Sequence, residues 1–419
     1  MTRFDLRYGM GTVQIAFDGD RFEILGAGAQ WQPMSDIEIG RRFDHPIDSP
    51  PIEDIVNPGE TVLLVVPDAT RQTATGQIVN LLVRRLIANG TAPNEIAAIF
   101  ATGIHRPVSA NEISEILTPF IAQRIRSIQH DAHNPVKLFS FGQTANGIPV
   151  DLNWALTEFD NVVLVGGVTF HYFAGFTGGR KLICPGLASK RTITATHQLA
   201  FDRASLNRRN GVGPGLLTDN AVHEAFVEAA SKVNVSFAVN TIVTDSGSAA
   251  DVYCGDWITS HTAACERYAA ERTIAVDRKR ELVIVSCGGT PHDINMIQAH
   301  KALEAAAAVC ADGGTILLIA DCRDGLGRDD FLSWFDAGDV NEIAKKLCEN
   351  YAVNGQTAWS LRSKTDRFDV RMLTSLDAVA VKKMGMTKID DLESEMRRTS
   401  GHGLGYVLPF GAKYLYQAE

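Results

Sequence analysis

The sequence predicts an α/β protein of two α/β domains, each with a mainly parallel sheet flanked by helices, and with the active site in the cleft between them. Three observations carry this. Continuous apolar, β-branched runs such as Val62 to Val66 have the composition of strands buried on both faces. Each is followed by a short loop and then by apolar residues at helical spacing, as in Gln77 to Leu86. The strand, loop, helix order recurs from Thr61 to about Val168 and again after Glu281, the mark of parallel sheets with helices on their faces.

Taken in order, residues 1 to about 50 alternate apolar and polar around Asp18-Gly19-Asp20, which predicts a β-hairpin ahead of the main sheet. Val62 to Val66, Ile96 to Phe100 and Asn161 to Val168 then read as strands, with a helix begun by Ser109, Asn111 and Glu112. Val235 to Val243 and the DSGSAADVYCGD stretch read as a further strand pair joined by a turn. A helix from His261 to Glu271 and a charged RKRE run at Arg278 to Glu281 mark the boundary, giving domains 1–272 and 273–419. Beyond it, Leu282 to Val285, Thr315 to Ile319 and Ala378 to Val381 supply strands of the smaller domain, and the tract Ala305 to Ala308 is strong helix.

Composition bounds the function. A chain of 419 residues with 45% hydrophobic residues suffices for two or three domain cores. A net charge of −9 without a basic cluster argues against nucleic acid and against an anionic membrane surface. The start, MTRFDLRYGM, has no apolar signal core, and no run approaches the 18 residues of a membrane helix. Seven cysteines between Cys184 and Cys348, odd in number and without a CxxC pair, suit reduced thiols in a cytoplasm.

Ionisable side chains gather where strands end. Asp68, Ala69, Thr70 and Arg71 occupy the loop after Val62–Val66, at the carboxyl end of a parallel strand, where open α/β sheets bind ligands. Helix capping alone explains Asp68 and Thr70, but not Arg71, whose planar fork suits a carboxylate or phosphate. His105, in ATGIHRP, stands at the end of the next strand. In FHYFAGFTGGRKLICPGLASKRTITATH, His171 and His197 flank a glycine-rich turn carrying Lys181. Such a lysine can pair with phosphate or attack a carbonyl-type carbon, although a Gly-Gly-Arg-Lys turn by itself is most often a surface turn. His130 and His133 have the spacing of a metal pair, but Asp and Asn before Pro mainly signal a turn. Gln298 and Lys301 are three apart and share one helical face, suited to a carboxylate.

Together these segments resemble the nickel-dependent lactate racemases and related 2-hydroxyacid racemases and epimerases. The resemblance spans essentially the whole chain and rests on Asp68 to Arg71, Gly103-Ile104-His105-Arg106-Pro107, FHYFAGFTGGRK with CPGLAS, His197, and GGTPHDINMIQAHK. It implies a nickel(II) pyridinium-3,5-bisthiocarboxylate mononucleotide, the nickel-pincer nucleotide, covalently held by Lys181, with His197 as a nickel ligand. Sulfur and imidazole donors suit square-planar nickel. His105 and His171 match the catalytic histidines, Asp68, Ala69, Thr70 and Arg71 the cofactor-binding segment, and Arg71, Gln298 and Lys301 the substrate-binding residues.

The implied reaction inverts a 2-hydroxy acid through a bound 2-keto acid. One histidine takes the hydroxyl proton while hydride leaves Cα for the pyridinium ring, and its return to the opposite face inverts the centre. Two enantiomers present their hydroxyls differently, so a base stands on each side. Maturation enzymes that supply the cofactor are implied partners. Ile297 departs from the lactate-specific pattern, in which an aromatic hydroxyl residue precedes the glutamine, and His292 and His300 add polar groups to the same loop and helix. The substrate is therefore open among lactate, malate, an aryl lactate and a sugar acid. Trp359 reads as core. Two other classes are compatible with the residues alone: a zinc hydrolase using His105, His171 and His197, which leaves Lys181 idle, and a non-catalytic nucleotide carrier, which leaves the paired bases idle.

Overall fold

The computed structural model describes residues 2–26, 31–399 and 403–418. The chain forms two compact units, one of Gln30–Ala200 and Asn210–Ala270, the other of Met1–Ala29, Phe201–Arg209 and Glu271–Glu419. This division is discontinuous, where the sequence pointed to contiguous domains over 1–272 and 273–419.

The first unit is built on a six-stranded sheet in the order Ala249–Gly255, Val235–Val243, Asn161–Gly167, Val62–Pro67, Ile96–Ala101, Arg126–Gln129. Every neighbouring pair is parallel except the first. All six residues of Val62–Pro67 are buried, as the unbroken apolar run requires of a central strand. The helix Thr75–Ala88 lays Ile78, Val79, Leu82, Val83 and Leu86 against this sheet. Each such side chain contributes about 1.5–3 kcal/mol by leaving water, so Leu82→Ala removes about 2–5 kcal/mol. The strand order sets the site. Val62–Pro67 lies between Ile96–Ala101 and Asn161–Gly167, so the loops bearing Asp68, His105 and His171 leave one edge of the sheet. At about 4.8 Å per strand step, the outer two of these strand ends are about 10 Å apart.

The second unit carries an all-parallel sheet in the order Thr387–Ile389, Asp369–Leu373, Cys310–Ile319, Arg280–Ser286, Gly405–Leu408, Phe22–Ile24. Two expectations are corrected here. Thr2–Tyr8 and Gly11–Phe17 do form an antiparallel hairpin, but it turns at Gly9 and Met10. The Asp18-Gly19-Asp20 turn instead feeds Phe22–Ile24 into the sheet of the C-terminal half. Ala378–Lys383 is a helix, not a strand, because Asp377 caps it through the amides of Val379 and Ala380. Trp359 is core, edge to face with Phe201 at 5.1 Å. All seven cysteines are free thiols, and no helix among the described residues is long and apolar enough to cross a membrane.

Candidate active site

Asp68 begins the loop after Val62–Pro67 and turns back on itself: its Oδ1 accepts from the Thr70 amide at 3.0 Å and the Thr70 hydroxyl at 2.6 Å. Its Oδ2 lies 2.7 Å from Nδ1 of His105 on the adjacent strand's loop. Burial pushes the Asp68 carboxyl up, but the hydrogen bonds from His105 and Thr70 and the nearby Arg71 cation outweigh it and hold the group below the usual carboxylate range. An ionised carboxylate can only accept, so His105 carries a proton on Nδ1, and in the neutral ring Nε2 is the unprotonated nitrogen. Half the His105 side chain is exposed, at 51%. Capping is not the role of Asp68 or Thr70, since the following helix starts at Thr75, with Ala74 at its N-cap position and no side-chain cap. Ala69, Thr70 and Arg71 are exposed around this pair.

The second group comes from the stretch after Asn161–Gly167. Phe170–His171 pairs antiparallel with Ala174–Phe176, and the Ala174 amide donates to Nδ1 of His171 at 3.2 Å. The His171 ring meets that of Phe173 edge to face at 4.5 Å. Lys181 sits in a short 3-10 turn, Gly179–Leu182, and lays its ammonium over the rings of Phe173 at 5.5 Å and Phe226 at 5.2 Å. His197 ends the helix Lys190–His197, which Ser189 caps through the Thr192 amide. Its imidazole touches the same two rings, 5.1 Å from Phe173 and 5.4 Å from Phe226. Burial, helped by the Lys181 charge, pushes His197 down to about 3. It is therefore a neutral imidazole at pH 7, the form that binds a metal.

Thus the fold joins Asp68 to His105, and joins His171, Lys181 and His197 through Phe173 and Phe226. The two aromatic walls were missed in the sequence. Phe173 lay in the aromatic run FHYFAGF, whereas Phe226, on the helix Ala221–Ala230, carries no local signal. Asn220 was missed too: it donates to the Phe173 carbonyl at 2.9 Å while capping that helix.

The remaining predicted residues lie on other elements. Gln298 and Lys301 lie on the helix Met296–Val309 of the second unit, where the Lys301 ammonium donates to Gln298 Oε1 at 2.7 Å. Ile297 packs against that unit's core, and Nδ1 of His300 lies 2.6 Å from its carbonyl. His130 is structural: Nε2 lies 3.1 Å from the Ala188 carbonyl and Nδ1 3.0 Å from Asn153 Nδ2. His133 lies instead on a groove of 590 Å³ with Asp151, Lys190 and Arg191, at the start of the helix that ends in His197. No group of three His, Cys, Asp or Glu among the described residues is placed to hold a metal. A zinc centre made by His105, His171 and His197 is therefore not formed, and a metal at His197 must bring most of its ligands with it.

Comparison with known proteins places the chain in a family and a fold. The family profile described as the lactate racemase N-terminal domain matches residues 8–207, and that of the lactate racemase C-terminal domain matches residues 276–402. The lactate racemase of Thermoanaerobacterium thermosaccharolyticum is 28% identical over 354 residues, 83% of this chain and 81% of that protein. That of Lactiplantibacillus plantarum is 28% identical over 347 residues, 82% and 80% of the two chains. The structure of the lactate racemase apoprotein from T. thermosaccharolyticum matches with a TM-score of 0.89 at 26% identity, covering 99% of this chain and 100% of that one. A Thermotoga maritima protein shares the fold at a TM-score of 0.72 and 21% identity, covering 94% and 100%.

Proposed function

The chain belongs to the lactate racemase family, a family of isomerases, and from that premise we propose that it inverts the hydroxyl-bearing carbon of a small 2-hydroxy acid, with His105 and His171 as the proton-transferring groups. The observation that supports this reading most is the meeting of a lysine amine and a neutral, buried imidazole on the faces of Phe173 and Phe226. A single neutral nitrogen beside a primary amine fits a metal that arrives inside an organic ligand and is tethered through the amine. The nickel-pincer nucleotide, bound to Lys181 and ligated by His197, would supply the hydride acceptor that no side chain offers.

The chain's own residues do the rest. His105 takes or returns the hydroxyl proton at Nε2, and Asp68 keeps that nitrogen free by holding Nδ1–H. His171 serves the opposite enantiomer. Asp68, Ala69, Thr70 and Arg71 would line the cofactor, Arg71 would also reach the substrate, and Gln298 with Lys301 would anchor the carboxylate. Bound in this way, the substrate would be held by its carboxylate while its hydroxyl stays within reach of the two imidazoles.

The test uses protein co-expressed with maturation enzymes for the cofactor. Intact mass should show an increment on Lys181 that is lost in Lys181→Ala, and chiral chromatography over a panel of 2-hydroxy acids should show racemisation or epimerisation of one class. His105→Ala and His171→Ala should each lower turnover about 10²–10⁴-fold. Active enzyme with an unmodified Lys181, or wash-out of Cα deuterium into solvent during turnover, overturns the reading.

A further inference from the structure

Arg180 is the largest fully buried side chain among the described residues, with 1% exposure. No acidic side chain there is paired with it, and although burial lowers it to about 10, it remains a cation at neutral pH. Keeping such a charge in a protein interior is expensive unless its donors are engaged. Two of its three nitrogens find partners, while Nε has none. Nη2 donates to the Ala174 carbonyl at 2.6 Å, and Nη1 lies 3.4 Å from the Gly178 carbonyl and 3.1 Å from Nε2 of His261. Ala174 is also the residue whose amide donates to Nδ1 of His171. One peptide segment therefore joins the guanidinium to the imidazole, and the residue after Arg180 is Lys181.

We propose that Arg180 is a positioning residue: by gripping Ala174 it holds that residue's amide on Nδ1 of His171, so that His171 keeps its proton on Nε2, the reverse of His105. The chemistry is forced by the partners. An amide N–H only donates, so Nδ1 of His171 must be a lone pair and the neutral ring must carry its hydrogen on Nε2. The Asp68 carboxylate only accepts, so His105 carries its hydrogen on Nδ1. A hydroxyl facing His105 meets an acceptor and one facing His171 meets a donor. Before His171 can take a proton at Nε2, its own must pass to Nδ1 and the Ala174 contact must break. The functional weight of this asymmetry rests on the reading of His105 and His171 as the proton-transferring pair, but the asymmetry itself is a property of the cofactor-free chain.

Histidine nitrogen NMR on ¹⁵N-histidine-labelled protein made without maturation enzymes reads it directly, with signals assigned through His171→Asn and His105→Asn. His171 should show a lone-pair Nδ1 and a protonated Nε2, and His105 the opposite. In Arg180→Met the bias at His171 should relax by roughly five-fold, the worth of one ordinary hydrogen bond, while His105 and the structural His130 stay unchanged. Arg180→Lys, which keeps the charge and one donor, should restore part of it. A general loosening would move all three histidines together, and that result, or an unmoved His171 in both folded variants, overturns the role of Arg180. Should neither variant fold, wild-type protein still decides, because His171 protonated on Nδ1 refutes the proposal. A Lys181 that is never modified after maturation would instead defeat the functional reading and leave the tautomer result standing.

Discussion

At Asp68, two oxygens serve two partners: Oδ1 closes the loop on Thr70, and Oδ2 holds His105 in the tautomer that leaves Nε2 unprotonated. Asp68→Asn keeps the size and the Thr70 contact but can present an amide N–H to the imidazole, which reverses the tautomer. Turnover per loaded site should then fall about 10²–10⁴-fold, while the mass increment on Lys181 is retained. A loss matched by equal loss of the increment would make Asp68 a cofactor-binding residue only. The sequence placed Asp68 and His105 at the ends of consecutive strands, but their pairing was not legible. It joins residues 37 apart and depends on Val62–Pro67 and Ile96–Ala101 being sheet neighbours, which the pattern of either run does not state. Arg180 was hidden for a related reason: a basic residue in Gly-Gly-Arg-Lys reads as solvated, and one of its buried partners, His261, is 81 residues away.

The turn that presents Lys181 is an element with narrow tolerances. Gly178 has φ +76° and ψ −175°, a region essentially restricted to glycine, and a Cβ there would stand 3.0 Å from the Gly167 carbonyl. Gly179 packs on the His261 ring, where a Cβ would come within 2.7 Å. Gly178→Ala should therefore destabilise by about 1–3 kcal/mol and lower the fraction of Lys181 that accepts the cofactor, both measurable by denaturant midpoint and intact mass. Unchanged loading at an unchanged midpoint would show that this turn is not constrained. Strands were the most legible elements, because runs such as Val62 to Val66 and Val235 to Val243 are too apolar and β-branched for an exposed loop. Ala378 to Val381 failed by the same rule. A four-residue apolar run is too short to distinguish strand from helix, and the capping Asp377 decided it. The phenylalanine walls lie beyond such reasoning, since Phe226 reaches Lys181 only through tertiary packing.

At the scale of the molecule, acid sensitivity follows from histidines that are buried neutral. Burial, outweighing the Ala188 carbonyl, pushes His130 down to about 4. Burial and then the Arg180 cation push His261 down to about 3, and burial pushes His300 down to about 4. In the unfolded chain each titrates near 6.5. Between about pH 6.5 and 4 the unfolded state thus binds protons that the native state refuses. Stability is full above that window and falls as pH drops through it, by roughly 3 kcal/mol per histidine once the window is crossed. Two of the three, His130 and His261, belong to the unit built on the strand Val62–Pro67, and only His300 to the other. Two such losses, about 6 kcal/mol, reach the lower end of the stability of a typical domain, about 5–15 kcal/mol. Urea unfolding of the cofactor-free protein at pH 7, 5.5 and 4.5 should therefore show a falling midpoint, with the unit that holds Lys181 and His197 melting first at acid pH. His130→Gln, which cannot titrate, should flatten the dependence by close to one proton. A midpoint that stays level from pH 7 to 4.5 would mean that these imidazoles reach solvent in the native state.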